Sequence, residues 1–288
     1  MHAEFDLLTP EDAEEALALL AAGDGSIALP LAGGTNLVVD LRARRLAPDR
    51  LVSLGRIGAL RGIRSSEGRI AIGARSTVSD LLHSPEIAQH APSLIDAAIV
   101  FGGQMVRNAA TVAGNIAYGS PAADLVPPLL SLDADLVLRS ASGSRTLALA
   151  DYFTGYKTSV RRADELISEI SFAIPPAATA NRFYKLGRRK GDAITVSGVA
   201  VTLSVENGIC AKARIALAAV APLAMRARAA EALIEGQALT PALIAEAGRC
   251  ASAECRPIDD IRASAGYRRH TVGVLTRRLI TDAWARFA

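Results

Sequence analysis

The stretch IALPLAGGTNLVVDL, residues 27–41, decides the fold. Residues 27–31 are apolar and read as a strand. Residues 37–41 begin a new element of helical character. Between them lies a bend, Leu31-Ala32-Gly33-Gly34-Thr35-Asn36-Leu37. Its two glycines let the backbone turn tightly and strip Cβ atoms from one face. Successive amides then point at an anion, with a helix start behind them. The Thr35 hydroxyl and Asn36 amide add donors, and a phosphate is the natural guest. The same residues also make an ordinary turn. The bend is neither a P-loop nor a G-x-G-x-x-G fingerprint, because the later Gly and Lys are missing.

Working outward, Thr9-Pro10-Glu11-Asp12 reads as a cap, an N1 proline and an acidic first turn. Ala13, Ala16, Leu17 and Leu20 follow at helical spacing, and Gly23 closes the helix. A short strand at 50–54 completes a small β-α-β-like lobe, residues 1–55. A second lobe, 56–176, carries a strand at 69–74, a helix capped by Thr77 and another helix over 92–100. Residues 101–119 are dense in Gly, Asn and Thr and are expected to be irregular or turn-rich. Ser120-Pro121 is expected to open a helix through 132. A hairpin turns at 141–144, and a strand over 165–174 ends at Pro175-Pro176. That double proline marks the boundary of a third unit, 177–288. There Asn207-Gly208 between two long apolar runs signals a hairpin, and three helices follow. Strands succeeded by helices make this unit α+β.

The 288 residues allow a sizeable core. Apolar residues are 50% and charged residues 21%, which excludes a disordered chain. A net charge of +3 and scarce aromatics argue against a nucleic-acid binder. No stretch has the length of a membrane span. The first twenty residues carry acids where a signal peptide needs bases, so a cytoplasmic protein is expected. Cys210, Cys250 and Cys255 match no disulfide framework and no zinc or iron–sulfur ligand set. No catalytic or metal-ligating residue is expected in this chain.

A second small-residue loop, Thr111-Val112-Ala113-Gly114-Asn115, is followed by Ser120-Pro121-Ala122-Ala123-Asp124. Two separated bends of this kind, if they converge, clamp a pyrophosphate from both sides. Asp124 reads either as an acceptor for ribose hydroxyls or as a first-turn helix carboxylate.

Four blocks then carry a resemblance: AGGTN at 32–36, FGGQMVRNAATVAGN at 101–115, SPAADLVPPLLSLDA at 120–134 and FYKLGRRKGDAITVSGVAV at 183–201. In this order the chain resembles the FAD-binding medium subunits of the molybdenum hydroxylases, the group that includes xanthine dehydrogenase and the carbon monoxide, quinoline and nicotine dehydrogenases. The resemblance implies a two-lobed FAD domain of the vanillyl-alcohol-oxidase type and a C-terminal α+β domain with an antiparallel sheet and helices. It implies that Leu31, Ala32, Gly33, Gly34, Thr35, Asn36 and Leu37, with Thr111, Val112, Ala113, Gly114 and Asn115, hold the FAD diphosphate. It puts Asp124 at the adenosine end, Phe101 against the isoalloxazine, and Ile167 and Lys185 at further flavin positions. A cation near the flavin favours its anionic reduced form, which suits Lys185. The family often has Gly-Gly where this chain has Ala113-Gly114. None of His2, His83, His90 and His270 lies in either loop to anchor a flavin covalently. Three scattered cysteines cannot supply the extra iron–sulfur cluster of the benzoyl-CoA reductase branch.

The implied partners are a small subunit with [2Fe–2S] clusters and a large molybdopterin subunit, in a dimer of heterotrimers. The implied role is electron transfer through FAD to an external acceptor. Two rivals are a stand-alone FAD-dependent reductase resembling UDP-N-acetylenolpyruvoylglucosamine reductase, and an assembly subunit without flavin. Arg42-Arg44-Arg45, Arg161-Arg162, Arg188-Arg189-Lys190, Arg268-Arg269 and Arg277-Arg278 could dock a partner or steer a nucleotide acceptor. Solvated faces and ion pairs are the commoner fate of such clusters.

Overall fold

The computed structural model describes residues 4–21, 23, 25–189 and 191–287. His2 and Lys190 lie outside the described residues. The first lobe contains β1 (Asp6–Leu8), α1 (Ala13–Leu20), β2 (Ala28–Leu31), α2 (Leu37–Arg42) and β3 (Arg50–Ser53). Its three strands run parallel in the order β1-β3-β2. Asp12, rather than Thr9, caps α1 by accepting from the Glu15 amide at 2.8 Å. Helix α1 buries Ala13, Ala16, Leu17 and Leu20. That small core runs on through Leu54, Ile57 and Leu60 to Leu166, beyond the expected edge of the lobe.

The second lobe is a five-stranded antiparallel sheet, ordered β4-β5-β10-β6-β7. These are β4 (Ile63–Ser66), β5 (Arg69–Gly73), β6 (Asp135–Ser140), β7 (Gly143–Ala148) and β10 (Leu166–Ala173). A small ribbon, β8 (Phe153–Gly155) and β9 (Thr158–Ser159), precedes β10. The β4–β5 turn puts Glu67 and Gly68 at φ 51° and 71°, a hairpin that Asn-Gly or Asp-Gly would have announced. Helices cover the sheet: α3 (Val78–His83), α4 (Pro85–His90), α5 (Pro92–Ile99), α6 (Gln104–Ala109), α7 (Val112–Ala117) and α8 (Val126–Ser131). Thr77 and Asp80 form a full capping box on α3.

Two sequence expectations fail here. Residues 101–119 are not irregular throughout but contain α6 and α7. Gly103 starts the first, and the Thr111 hydroxyl caps the second by accepting from the Gly114 amide at 3.1 Å. Residues 120–125 do not open a helix, because α8 begins only at Val126. Asp124 is therefore no first-turn carboxylate.

The third unit is a four-stranded antiparallel sheet, β11 (Thr179–Gly187), β12 (Thr195–Glu206), β13 (Ile209–Ala218) and β14 (Met225–Arg226), in sequence order. Asn207 and Gly208 sit at φ 51° and 76°, as their dipeptide predicts. Helices α9 (Arg228–Ile234), α10 (Pro241–Glu254) and α11 (Ala265–Trp284) cover one face. Strand β12 is buried almost end to end. Val199, Val201 and Leu203 face the helices, while Ala200 joins the core of the second lobe. Polar joints cross this junction: the Ser93 amide donates to Asn181 Oδ1 at 2.9 Å, and the Phe183 amide to Asp96 Oδ2 at 3.1 Å. The third unit thus packs firmly on the second, and its β11 reaches the region of Phe101.

Candidate functional site

Both bends form where a strand or extended segment feeds a short helix. The first leaves β2 and enters α2, with Gly34 at φ 68°, a left-handed backbone that favours glycine. The second is held by backbone bonds from Val78 N to Ala110 O and from Val112 N to Ser76 O, each 2.9 Å. A Cβ built on Gly33 would lie 1.9 Å from the Ala109 carbonyl oxygen and 3.1 Å from the Ala110 Cα. The two bends therefore touch, and they touch through the absence of a side chain. The amides of Gly33, Gly34, Thr35 and Asn36 donate to no acceptor among the described residues. Buried or half-buried amides without partners seek a ligand or water.

Between the bends runs a cleft of about 250 Å³. Ala32, Gly33, Gly34, Thr35, Asn36, Leu37, Thr111, Ala113, Gly114 and Asn115 line it, and so do Phe101 and Ile167. Leu31, Val112, Asp124 and Lys185 do not. Val112 turns into the core. Asp124 and Lys185 pair with each other at 2.6 Å, with side chains 9% and 6% exposed. The Thr195 hydroxyl donates to the other Asp124 oxygen. Burial pushes the Asp124 carboxyl up, against the pull of the Lys185 ammonium and the Thr195 hydroxyl. Lys185 Nζ also donates to the Val100 carbonyl at 3.2 Å, one residue before Phe101. The pair thus ties the third unit, through Lys185, to the second lobe, through Asp124 and the Val100 carbonyl beside Phe101.

The cleft also has lining residues that the sequence did not single out for it. Asp40 and Tyr118 belong to one flank, where Lys157 Nζ meets the Tyr118 hydroxyl at 2.7 Å. Burial raises the Asp40 carboxyl, but Arg45, Tyr118 and Lys157 outweigh it and hold it low. Glu165, at the head of β10, is held low chiefly by hydrogen bonds from Arg145, at 2.8 and 3.0 Å. Arg161 lines the cleft as well. Its pairing with Arg162 in a basic doublet was the one visible signal. Among the other doublets, Arg268 is 3% exposed and buried under the third sheet, so it is no solvated face. Arg188 bonds the Ile261 carbonyl at 3.0 Å.

Chemically, the cleft offers unpaired amides and a hydroxyl at its waist, with Phe101, Leu166, Ile167 and Leu54 as apolar surface. That fits a diphosphate joined to a flat ring, so the residues present suit a flavin dinucleotide. Among the described residues no group of three or more His, Cys, Asp or Glu could hold a metal ion, and no helix is long and apolar enough to cross a membrane.

Comparison with known proteins agrees with this architecture. Residues 3–176 match the profile of an FAD binding domain in molybdopterin dehydrogenase. Residues 182–283 match the C-terminal domain of the carbon monoxide dehydrogenase flavoprotein. The medium chain of carbon monoxide dehydrogenase from Hydrogenophaga pseudoflava is 34% identical over 99% of this chain and 98% of its own. The glyceraldehyde dehydrogenase medium chain of Sulfolobus acidocaldarius is 30% identical over 97% and 98%. A structure of the Hydrogenophaga pseudoflava carbon monoxide dehydrogenase, in a form lacking the Mo-pyranopterin moiety, superimposes with a TM-score of 0.95 at 35% identity, covering 99% of both chains. Quinoline 2-oxidoreductase from Pseudomonas putida 86 gives a TM-score of 0.92 at 29% identity, covering 99% of this chain and 98% of the other.

Proposed function

We infer the function of this chain from one premise: it belongs to the family of FAD-binding medium subunits of the molybdopterin-dependent dehydrogenases. We propose that it is the electron-transfer subunit of such a complex. Its partners are then a small subunit with [2Fe–2S] clusters and a large subunit with the molybdopterin cofactor, assembled in the cytoplasm as a dimer of heterotrimers. Bound in the cleft, FAD would supply the redox chemistry for passing electrons from the iron–sulfur partner to an external acceptor.

The contact between Gly33 and the Ala109–Ala110 backbone carries this reading. This close approach supports a reading in which free amides of both bends serve one diphosphate. The free amides of residues 33–36 and of Ala113 at the start of α7 bind phosphate oxygens, and the Thr35 hydroxyl adds a donor. Phe101 and Ile167 offer the apolar surface that orients the ring and excludes water. Lys185, tied to Asp124, holds the Val100 carbonyl and so fixes the segment that bears Phe101. None of these tasks moves a proton, which suits a chain that relays electrons while substrate is oxidised elsewhere. The tandem of both matched domains favours this role over a stand-alone reductase.

Cofactor and chain analysis of the native complex tests the reading. The expected result is one FAD per copy of this chain, with a molybdenum-bearing large chain and an iron–sulfur small chain co-purifying. A flavin-free chain, or one that purifies without such partners, overturns it.

A further inference from the structure

Arg161 is the cationic side chain in the cleft lining, which otherwise holds two acids among neutral residues. Both acids are already answered. Asp40 pairs with Arg45 at 3.0 Å. Glu165 takes Arg145 at 2.8 Å and Arg162 at 3.2 Å. Arg161 has a different set of partners. Its Nη1 donates to the backbone carbonyls of Arg162, at 2.9 Å, and Glu165, at 2.7 Å. No carboxylate lies in ion-pair range of it among the described residues. The neighbouring Arg162, in contrast, is tied to Asp164 and Glu165. Neutral acceptors therefore fix the Arg161 guanidinium in the wall while leaving its charge uncompensated.

A diphosphate brings two negative charges into this partly desolvated cleft. The bends answer it with neutral amides and a hydroxyl, which solvate the anion but do not balance it. Two other cations lie outside the lining: Lys185 is engaged with Asp124, and Lys157 with the Tyr118 hydroxyl and the field of Asp40. In a cleft of lowered dielectric an uncompensated guanidinium attracts a phosphate strongly, and its planar donors suit phosphate oxygens. We propose that Arg161 is the counter-charge for the diphosphate of the bound dinucleotide. This rests on the FAD reading above and adds to it a residue outside both glycine bends.

The test uses the full chain freed of flavin: wild type, Arg161→Gln, Arg161→Lys and, as control, Arg162→Gln. Each is titrated with FAD and with riboflavin, which lacks phosphate, at low and high salt. Arg161→Gln should weaken FAD at least tenfold and flatten its salt dependence. Riboflavin binding should stay as in wild type, and Arg161→Lys should restore much of the loss. Melting curves of the flavin-free variants show whether each is folded, and Lys keeps the proposal testable where Gln is not. FAD affinity within twofold of wild type overturns the proposal. So does equal loss of FAD and riboflavin, which marks a packing role. A wild-type chain that binds neither flavin overturns the FAD reading itself, whereas wild-type FAD binding with an indifferent Arg161 overturns only the counter-charge.

Discussion

At the scale of single residues, the cleft depends on an atom that is missing. The glycines at 33 and 34 announce a bend in the sequence, but their roles differ. Gly34 is needed for its left-handed φ of 68°, a local demand. Gly33 is needed because the Ala109 carbonyl, far along the chain, occupies the space of a Cβ. Gly33→Ala must force the two bends apart. We expect it to retain less than a tenth of the flavin after gel filtration, with the far-ultraviolet spectrum of the sheets unchanged. Full flavin content would show that the bends can separate without losing the ligand. Asp124 teaches the opposite lesson. Its place in the sequence suits either a ribose contact or a helix start, and in the fold it is a buried partner of Lys185 and Thr195.

At the scale of elements, periodicity and turn chemistry located most strands and helices. The β12–β13 hairpin was legible because Asn-Gly satisfies two positive φ values at little steric cost. A Cβ on Gly208 would meet nothing within 4 Å, so Gly208→Ala isolates the backbone strain at φ 76°. It should cost about 1 kcal/mol in chemical denaturation, with flavin binding unaffected. A loss well above that would point to a packing role for the turn. The equivalent turn at Glu67-Gly68 escaped notice because glutamate is no usual turn residue. Helices α6 and α7 were hidden by Gly, Asn and Thr, residues that oppose helix in isolation, yet Gly103 and Thr111 serve here as their N-caps.

At the scale of the molecule, the third unit acts on the cleft from behind. Arg268 of α11 donates to the carbonyls of Val196 and Ala219, at 2.9 and 2.6 Å, and pairs with Asp260 at 2.8 Å. Ala219, held at φ 62°, donates its amide to Pro121 at 2.7 Å, three residues before Asp124. Partial burial alone would raise the Asp260 carboxyl. The Arg262 amide, Arg268 and the Ala263 amide outweigh it and bring it to about 2. A carboxyl lowered on folding stabilises above its unfolded value, and that stability is lost as pH falls from about 4 towards 2. Asp260→Asn should abolish this acid limb in thermal melts taken across that range. It should also cost roughly 3 kcal/mol at neutral pH, because buried Arg268 loses its partner. An unchanged acid limb would remove Asp260 from the account.

The sequence by itself determined helix α1, the bends at 31–37 and 111–115, and the hairpin at 207–208. These depend on backbone preferences and spacing within a few residues. Only the tertiary structure decided that Gly33 rests on Ala109, that Lys185 turns to Asp124, and that Arg161 rather than its neighbour enters the cleft. Those outcomes join residues tens of positions apart. A side chain's partner is chosen by which charges and carbonyls the packed lobes bring within reach, and no local pattern encodes that choice.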